Sequence, residues 1–231
     1  MTRFRNARAA LIVCAATLVC LLTLGAPRAS ADTFSSTLTT GNTALSGFES
    51  PFAQVLVTLT SATTATVKFT SDVVAGNIYL MGDGGSVAVN VNATSWTLSN
   101  IAGTNAGTGF TPGPFSDGGA GNEDGFGSFN QTINSFDGFS HSSDTITFTL
   151  TNTSGGTWAS AANVLTGNAA GNDAAAHIFV TSSPANASNG AIATGFAAEN
   201  ATPAVPEPAS MGLLGTALLG AYGLLRRKLL G

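Results

Sequence analysis

The residues best suited to chemistry cluster near the middle of the chain. Asp117-Gly118-Gly119-Ala120-Gly121-Asn122-Glu123-Asp124-Gly125 concentrates oxygen ligands on a glycine-flexible segment. Asp117, Asn122, Glu123 and Asp124 are a set that calcium, a hard cation, can use. The spacing is not that of an EF-hand, and a solvated acidic turn has the same composition. Glu123, Asp124, Asp137 and Asp144 are the carboxylates from which a glycoside-hydrolase pair would be drawn, but spacing along a loop does not set the separation that reaction needs. His141 stands beside Ser140, Ser142 and Ser143, with Asp137 and Asp144 near. These are the ingredients of a Ser-His-Asp triad, without a Gly-x-Ser-x-Gly elbow. His177 opens an apolar run and reads as structural. No His, Asp and Glu spacing suggests zinc or iron, and no phosphate-binding glycine motif opens a helix.

Phe110, Phe115, Phe126, Phe129, Phe136 and Phe139 recur through the same glycine-rich region. They offer an aromatic platform for sugar rings or, more simply, apolar plugs for a core.

The elements that would position these groups are strands. About a quarter of the stretch from Asp32 to Val205 is Ser or Thr, and helix formers such as Glu, Lys and Arg are scarce, which favours β structure. Val55–Thr60 and Ala65–Thr70 form a hairpin through Ser61–Thr64. Asn77–Met81 is a strand ended by Gly82-Asp83-Gly84-Gly85, a turn that needs positive φ. Ser86–Val91, Thr94–Leu98 and Phe129–Ile133 follow. Asp144–Thr151 alternates most cleanly, with Ile146, Phe148 and Leu150 on one face and threonines on the other. Gly103–Phe126 reads as one long loop. Ala159–Ala175 has room for a short helix, and Ala176–Val180 and Ala191–Ala197 close the set. Eight to ten short strands with glycine turns predict an all-β fold, an antiparallel, jelly-roll-like β-sandwich.

Charge and cysteine usage bound the environment. Seven of the eight Lys and Arg lie in Met1–Arg28 or after Leu225. Between Asp32 and Val205, Lys68 alone faces eleven carboxylates, a net charge near −10. Such a body is unsuited to nucleic acid or anionic lipid, stays soluble, and attracts divalent cations. Arg3, Arg5 and Arg8 precede an apolar run, Ala9–Leu24, and Ala29-Ser30-Ala31 places small residues before Asp32. This predicts a signal peptide over residues 1–31, with its signal helix; an uncleaved N-terminal anchor is the other arrangement. Both cysteines, Cys14 and Cys20, fall inside it. The mature body then has no thiol for disulfides, zinc or nucleophilic catalysis. A single β-sandwich domain over residues 32–199 can bury roughly 70% of its unfolded surface.

Residues 200–205 form a linker to Pro206-Glu207-Pro208. An uncharged span, Ala209–Leu225, follows, then Arg226-Arg227-Lys228. The two prolines hold Val205 and Glu207 extended. The span would make a transmembrane helix of about 25 Å, and the basic cluster acts as a cytoplasmic stop, leaving the tripeptide outside. Segment 206–231, with Val205 before it, resembles a PEP-CTERM sorting signal. The resemblance implies recognition by an exosortase, an integral-membrane enzyme of Gram-negative bacteria that often make exopolysaccharide or biofilm. It implies cleavage near Pro206, Glu207 and Pro208, transient membrane anchoring by the helix, and delivery to the cell surface or extracellular matrix. Through Gly82-Asp83-Gly84-Gly85-Ser86-Val87 and Phe136-Asp137-Gly138-Phe139 the body also resembles a group of PEP-CTERM proteins of unknown activity.

The expectation is an exported, non-enzymatic protein without a cofactor other than the candidate calcium. Extracellular polysaccharide is its candidate partner, with no role in nucleic-acid binding. A carbohydrate-binding module, calcium-assisted or not, and a matrix-polysaccharide hydrolase are the alternatives.

Overall fold

A computed structural model describes residues 31–199. The signal peptide, the linker, the Pro-Glu-Pro motif, the transmembrane span and the basic stop lie outside the described residues. Among the described residues no helix is long and apolar enough to cross a membrane.

The described chain is built from β-strands: β1 (Asp32–Leu38), β2 (Thr40–Gly41), β3 (Ala53–Ser61), β4 (Thr64–Ser71), β5 (Val73–Val74), β6 (Asn77–Met81), β7 (Val87–Val89), β8 (Trp96–Thr104), β9 (Ser116–Glu123), β10 (Gly127–Asn134), β11 (Thr145–Asn152), β12 (Ala174–Ser182) and β13 (Ala193–Glu199). Four single-turn 3-10 segments are the only helical pieces among the described residues.

Sheet A has the order β1-β3-β4-β11-β8, and sheet B runs β2-β13-β12-β7-β10-β9. Every strand pairing is antiparallel. The two sheets share one apolar layer. Sheet A contributes Val57, Val67, Phe69, Ile146, Phe148 and Leu150; sheet B contributes Tyr79, Met81, Val87, Ile133, Ile178 and Val180. Alternation puts these residues inward because successive side chains of a strand point to opposite faces. In β11, Ile146, Phe148 and Leu150 are fully buried, whereas Thr145, Thr147, Thr149 and Thr151 are half-exposed. Trp96 Nε1 on β8 donates to Gln131 Oε1 on β10 at 2.9 Å, a polar tie between the sheets.

Sheet A presents rows of short polar side chains to solvent. Thr33, Thr58, Thr66, Thr149 and Ser99 stand opposite one another across its five strands. The next row is Ser35, Leu56, Lys68, Thr147 and Ala102. The third is Thr37, Gln54, Thr70, Thr145 and Thr104. None of these residues is buried.

In sheet B, β6 and β7 lie end to end along one edge of β12. Met81 pairs with Ile178 and Val87 with Ala176, so Gly82–Ser86 is looped out opposite the single residue His177. The His177 backbone still closes its ladder: its N–H reaches Ser86 O and its carbonyl takes Gly82 N–H. Asp83 and Gly85, at φ 60° and 63°, supply the left-handed backbone that the excursion needs.

One sequence expectation is corrected. Gly103–Phe126 is not one loop, because Ser116–Glu123 is strand β9. Its glycines disguise it: Gly118 and Gly121 lie under Thr132 and Asn134, where a Cβ would collide, so packing overrides the low strand propensity of glycine. In Ala159–Ala175 only the turn Ala161–Asn163 is helical.

Phe148 stacks on Phe69 with ring centroids 6.3 Å apart. Phe148→Ala should cost about 3–5 kcal/mol in urea denaturation, against a change within about 0.5 kcal/mol for the neighbouring Thr147→Ala. Equal losses for the two would contradict the inward and outward assignment of β11.

Candidate functional site

The acidic segment is spread out rather than gathered. Asp117 is the second residue of β9 and Glu123 its last, about 20 Å apart at the rise of an extended strand. Asp117 Oδ1 accepts from Gly119 N–H at 2.8 Å and from Gln131 Nε2 at 2.7 Å. Asp124 Oδ2 accepts from Asn42 Nδ2 at 3.0 Å. Asn122 is exposed, and Glu123 is buried. The four residues singled out for calcium therefore do not converge on one point. Among the described residues no group of three or more His, Cys, Asp or Glu side chains could hold a metal ion.

The catalytic ingredients are also engaged elsewhere. His141 Nδ1 faces the carbonyls of Thr111 at 2.8 Å and Gly113 at 2.7 Å. This nitrogen therefore carries the proton and donates to backbone, not to a carboxylate. Ser142 Oγ donates to Phe139 O, and Ser143 Oγ is buried without a partner. Asp144 accepts from the Thr104 hydroxyl at 2.9 Å and from Ala106 N–H at 2.7 Å. No Ser-His or His-Asp hydrogen bond links these residues, and the triad is not assembled.

The phenylalanines mostly cover the outer side of sheet B. Phe126 and Phe129 pack on Ala88, Ala175 and Ala198. Phe110 meets Phe139 at 5.2 Å, and Phe139 meets Phe179 at 5.8 Å. Phe115 packs against the main core. Phe136 alone of the six stays largely exposed, edge-on to His141 at 4.8 Å. One exposed ring is not a platform.

What the structure does bring together is a pair of titratable groups around the Gly82–Ser86 excursion. The Glu123 carboxyl lies directly on Gly85, so closely that a Cβ at residue 85 would collide with it. Glu123 is 1% exposed, and its Oε2 has no hydrogen-bond partner. Burial pushes its pKa up to about 8, so the side chain is largely a neutral acid at pH 7. His177 borders the same turn. Its ring stacks on Phe196 at 4.4 Å, and its Nε2 is 2.7 Å from the Thr194 hydroxyl. Burial lowers its pKa, against the opposing pull of the Asp83 carboxylate and the Gly84 and Gly82 backbone. The local composition of the acidic segment gave no sign that Glu123 is buried; its position reflects the missing side chain of Gly85, far away in sequence. Glu123 is covered and His177 half-buried, so both groups sit within the packing around this turn.

Residues 204–228 match the PEP-CTERM protein-sorting motif. The chain thus carries a signal for export and for membrane-associated processing by an exosortase-type enzyme of Gram-negative bacteria. No curated protein and no solved structure matches the chain.

Glu123 provides a pH test of the layer it closes. Unfolded, it ionises near 4.5; folded, near 8. Its contribution to stability is fully present below pH 4.5, is lost as pH rises toward 8, and is level beyond. The slope is on the order of 1 kcal/mol per pH unit. Glu123→Gln should flatten this part of the profile and raise Tm at pH 8. A profile with the wild-type slope in that variant would show that the carboxyl is hydrated in the fold.

Proposed function

We propose that this protein is a non-enzymatic component of the cell surface or extracellular matrix, delivered there as an acidic β-sandwich by its C-terminal signal. The sorting motif at residues 204–228 carries this reading. In it, the exosortase reads Pro206, Glu207 and Pro208 while the apolar span holds the precursor in the membrane. Cleavage near the motif then releases or transfers the body. Arg226, Arg227 and Lys228 hold the distal end on the cytoplasmic side. The engaged state of His141, Asp144 and Asp124 supports a role without bond cleavage.

Polysaccharide is the partner that this destination offers. A carbohydrate-binding body is the second reading, favoured by the threonine- and serine-rich outer rows of sheet A. It does not rely on calcium.

Glu207→Ala should leave uncut precursor in the membrane fraction, with the cleaved product reduced about tenfold or more by immunoblot. Normal processing of that variant would show that Glu207 is not read.

A further inference from the structure

We propose that the end of the β9–β10 hairpin, residues 121–129, is a lid on the outer face of sheet B, and that loss of the Glu123 proton opens it. The inference concerns the body alone and does not depend on the destination assigned above.

The register defines the lid. β7 pairs with β10 only at Gln131, Thr132 and Ile133. Between Phe129 and Thr132 the β9–β10 ladder breaks, and beyond the break Gly121, Asn122 and Glu123 pair with Phe129, Ser128 and Gly127. Among the described residues no other strand adds a ladder to these three pairs. Asn130 marks the boundary: its Oδ1 accepts from Val91 N–H at 2.7 Å, and its Nδ2 donates to Val91 O at 2.9 Å. On the other strand, Gly119 sits at the break with φ 61° and open space where a Cβ would be. Glycine adopts that backbone at no steric cost.

Few contacts hold the lid down. Phe126 and Phe129 cover Ala88, Ala175 and Ala198, with Phe196 beside them. Three carboxamides tie the tip: Asn42 Nδ2 donates to Asp124 Oδ2 at 3.0 Å, and Asn168 Nδ2 and Asn172 Nδ2 both donate to Phe126 O, at 3.0 and 3.1 Å. Glu123 is a further attachment. Its side chain is buried against Gly85, outside its own hairpin, and its Oε2 has no hydrogen-bond partner. Such a carboxyl is tolerable only while protonated, because an unpaired buried charge costs far more than a buried neutral group.

The surroundings supply carboxylates, not cations. The Gly82–Ser86 excursion carries Asp83, the hairpin itself Asp117 and Asp124, and β13 ends on Glu199. β12 carries His177, whose pKa burial lowers, and Asp173 stands just before that strand. Lys68, the one basic residue between Asp32 and Val205, lies on β4 in the other sheet. Ionised Glu123 therefore gains no cation by staying and gains hydration by leaving. Its exit draws Phe126, three residues on, away from the alanines. Once lifted, three pairs of a two-stranded ribbon do not hold on their own. Burial pushes the Glu123 pKa from 4.5 to about 8 in the closed form. The open form has the ordinary value and binds fewer protons between the two, so rising pH favours it until about pH 8.

The test is hydrogen exchange on the full chain in detergent, read peptide by peptide from pH 5 to pH 9 and corrected for the intrinsic exchange rate. The ladder-bonded amides of residues 121–129 should exchange about a hundredfold faster or more than those of β4 and β11. Low urea should not speed them, as expected of a local opening. Their opening should rise by up to about tenfold per pH unit toward pH 8 and then level. Glu123→Gln should abolish the rise and hold opening at its wild-type value of pH 5. Asn172→Ala, which removes one bond at the tip, should raise opening about fivefold at every pH and keep the slope. Lid amides as protected as those of β11, an opening without pH dependence, or the wild-type slope in Glu123→Gln would each overturn the inference.

Discussion

Strand β12 carries the architecture because it must be apolar on both faces. Ala174, Ala176, Ile178 and Val180 enter the layer between the sheets, whereas Ala175 and Phe179 lie on the opposite side, in separate clusters. A strand covered on both faces satisfies its backbone only through neighbours, and β12 has them along both edges: β13 on one, β6 and β7 on the other. Its outer face must then be shielded from water. The β9–β10 hairpin and the phenylalanines of the glycine-rich region do this, and Asn42 fastens the hairpin end through Asp124. Sheet A needs no such cover, because its outward positions are mostly threonine and serine, with Gln54, Lys68, Leu56 and Ala102 among them.

This difference between the sheets also decides what could be read from the sequence. β3, β4, β6 and β11 were legible because each alternates or is uniformly apolar between turn residues. The Ser61–Thr64 hairpin and the Gly82–Gly85 turn fell where expected. β9 was hidden, because a strand written Ser-Asp-Gly-Gly-Ala-Gly-Asn-Glu has no apolar period. Its pairing depends on the side chains of β10 that fill the space above its glycines. β1 was missed for a smaller reason: with Phe34 and Leu38 inward, Ser36 breaks the apolar repeat at an edge.

The site residues divide in the same way. The phenylalanines were legible as apolar cover, and His177 as structural. Glu123 was legible as an acid but not as a buried one, since burial is decided by a contact with Gly85, 38 positions earlier in the chain. The candidate calcium residues are spread out because a strand exists where a loop was expected. An extended backbone carries consecutive ligands away from one another instead of wrapping them around an ion. The hydroxyl rows were half visible: each strand's threonines could be counted, but only the register aligns four of them with Ser99 across the sheet.

The order of strands also sets when this protein can finish folding. The hairpin β3–β4 is local and can form early. Closing sheet B requires β13, Ala193–Glu199, which pairs with β12 and with β2 near the opposite end of the body. Contacts between segments so distant in sequence form late and slowly. An exported chain emerges with its N-terminal part first, so its apolar layer stays incomplete until residue 199 has crossed. The sorting motif begins only a few residues later. Completion of the fold and presentation of the signal therefore fall at nearly the same moment of translocation.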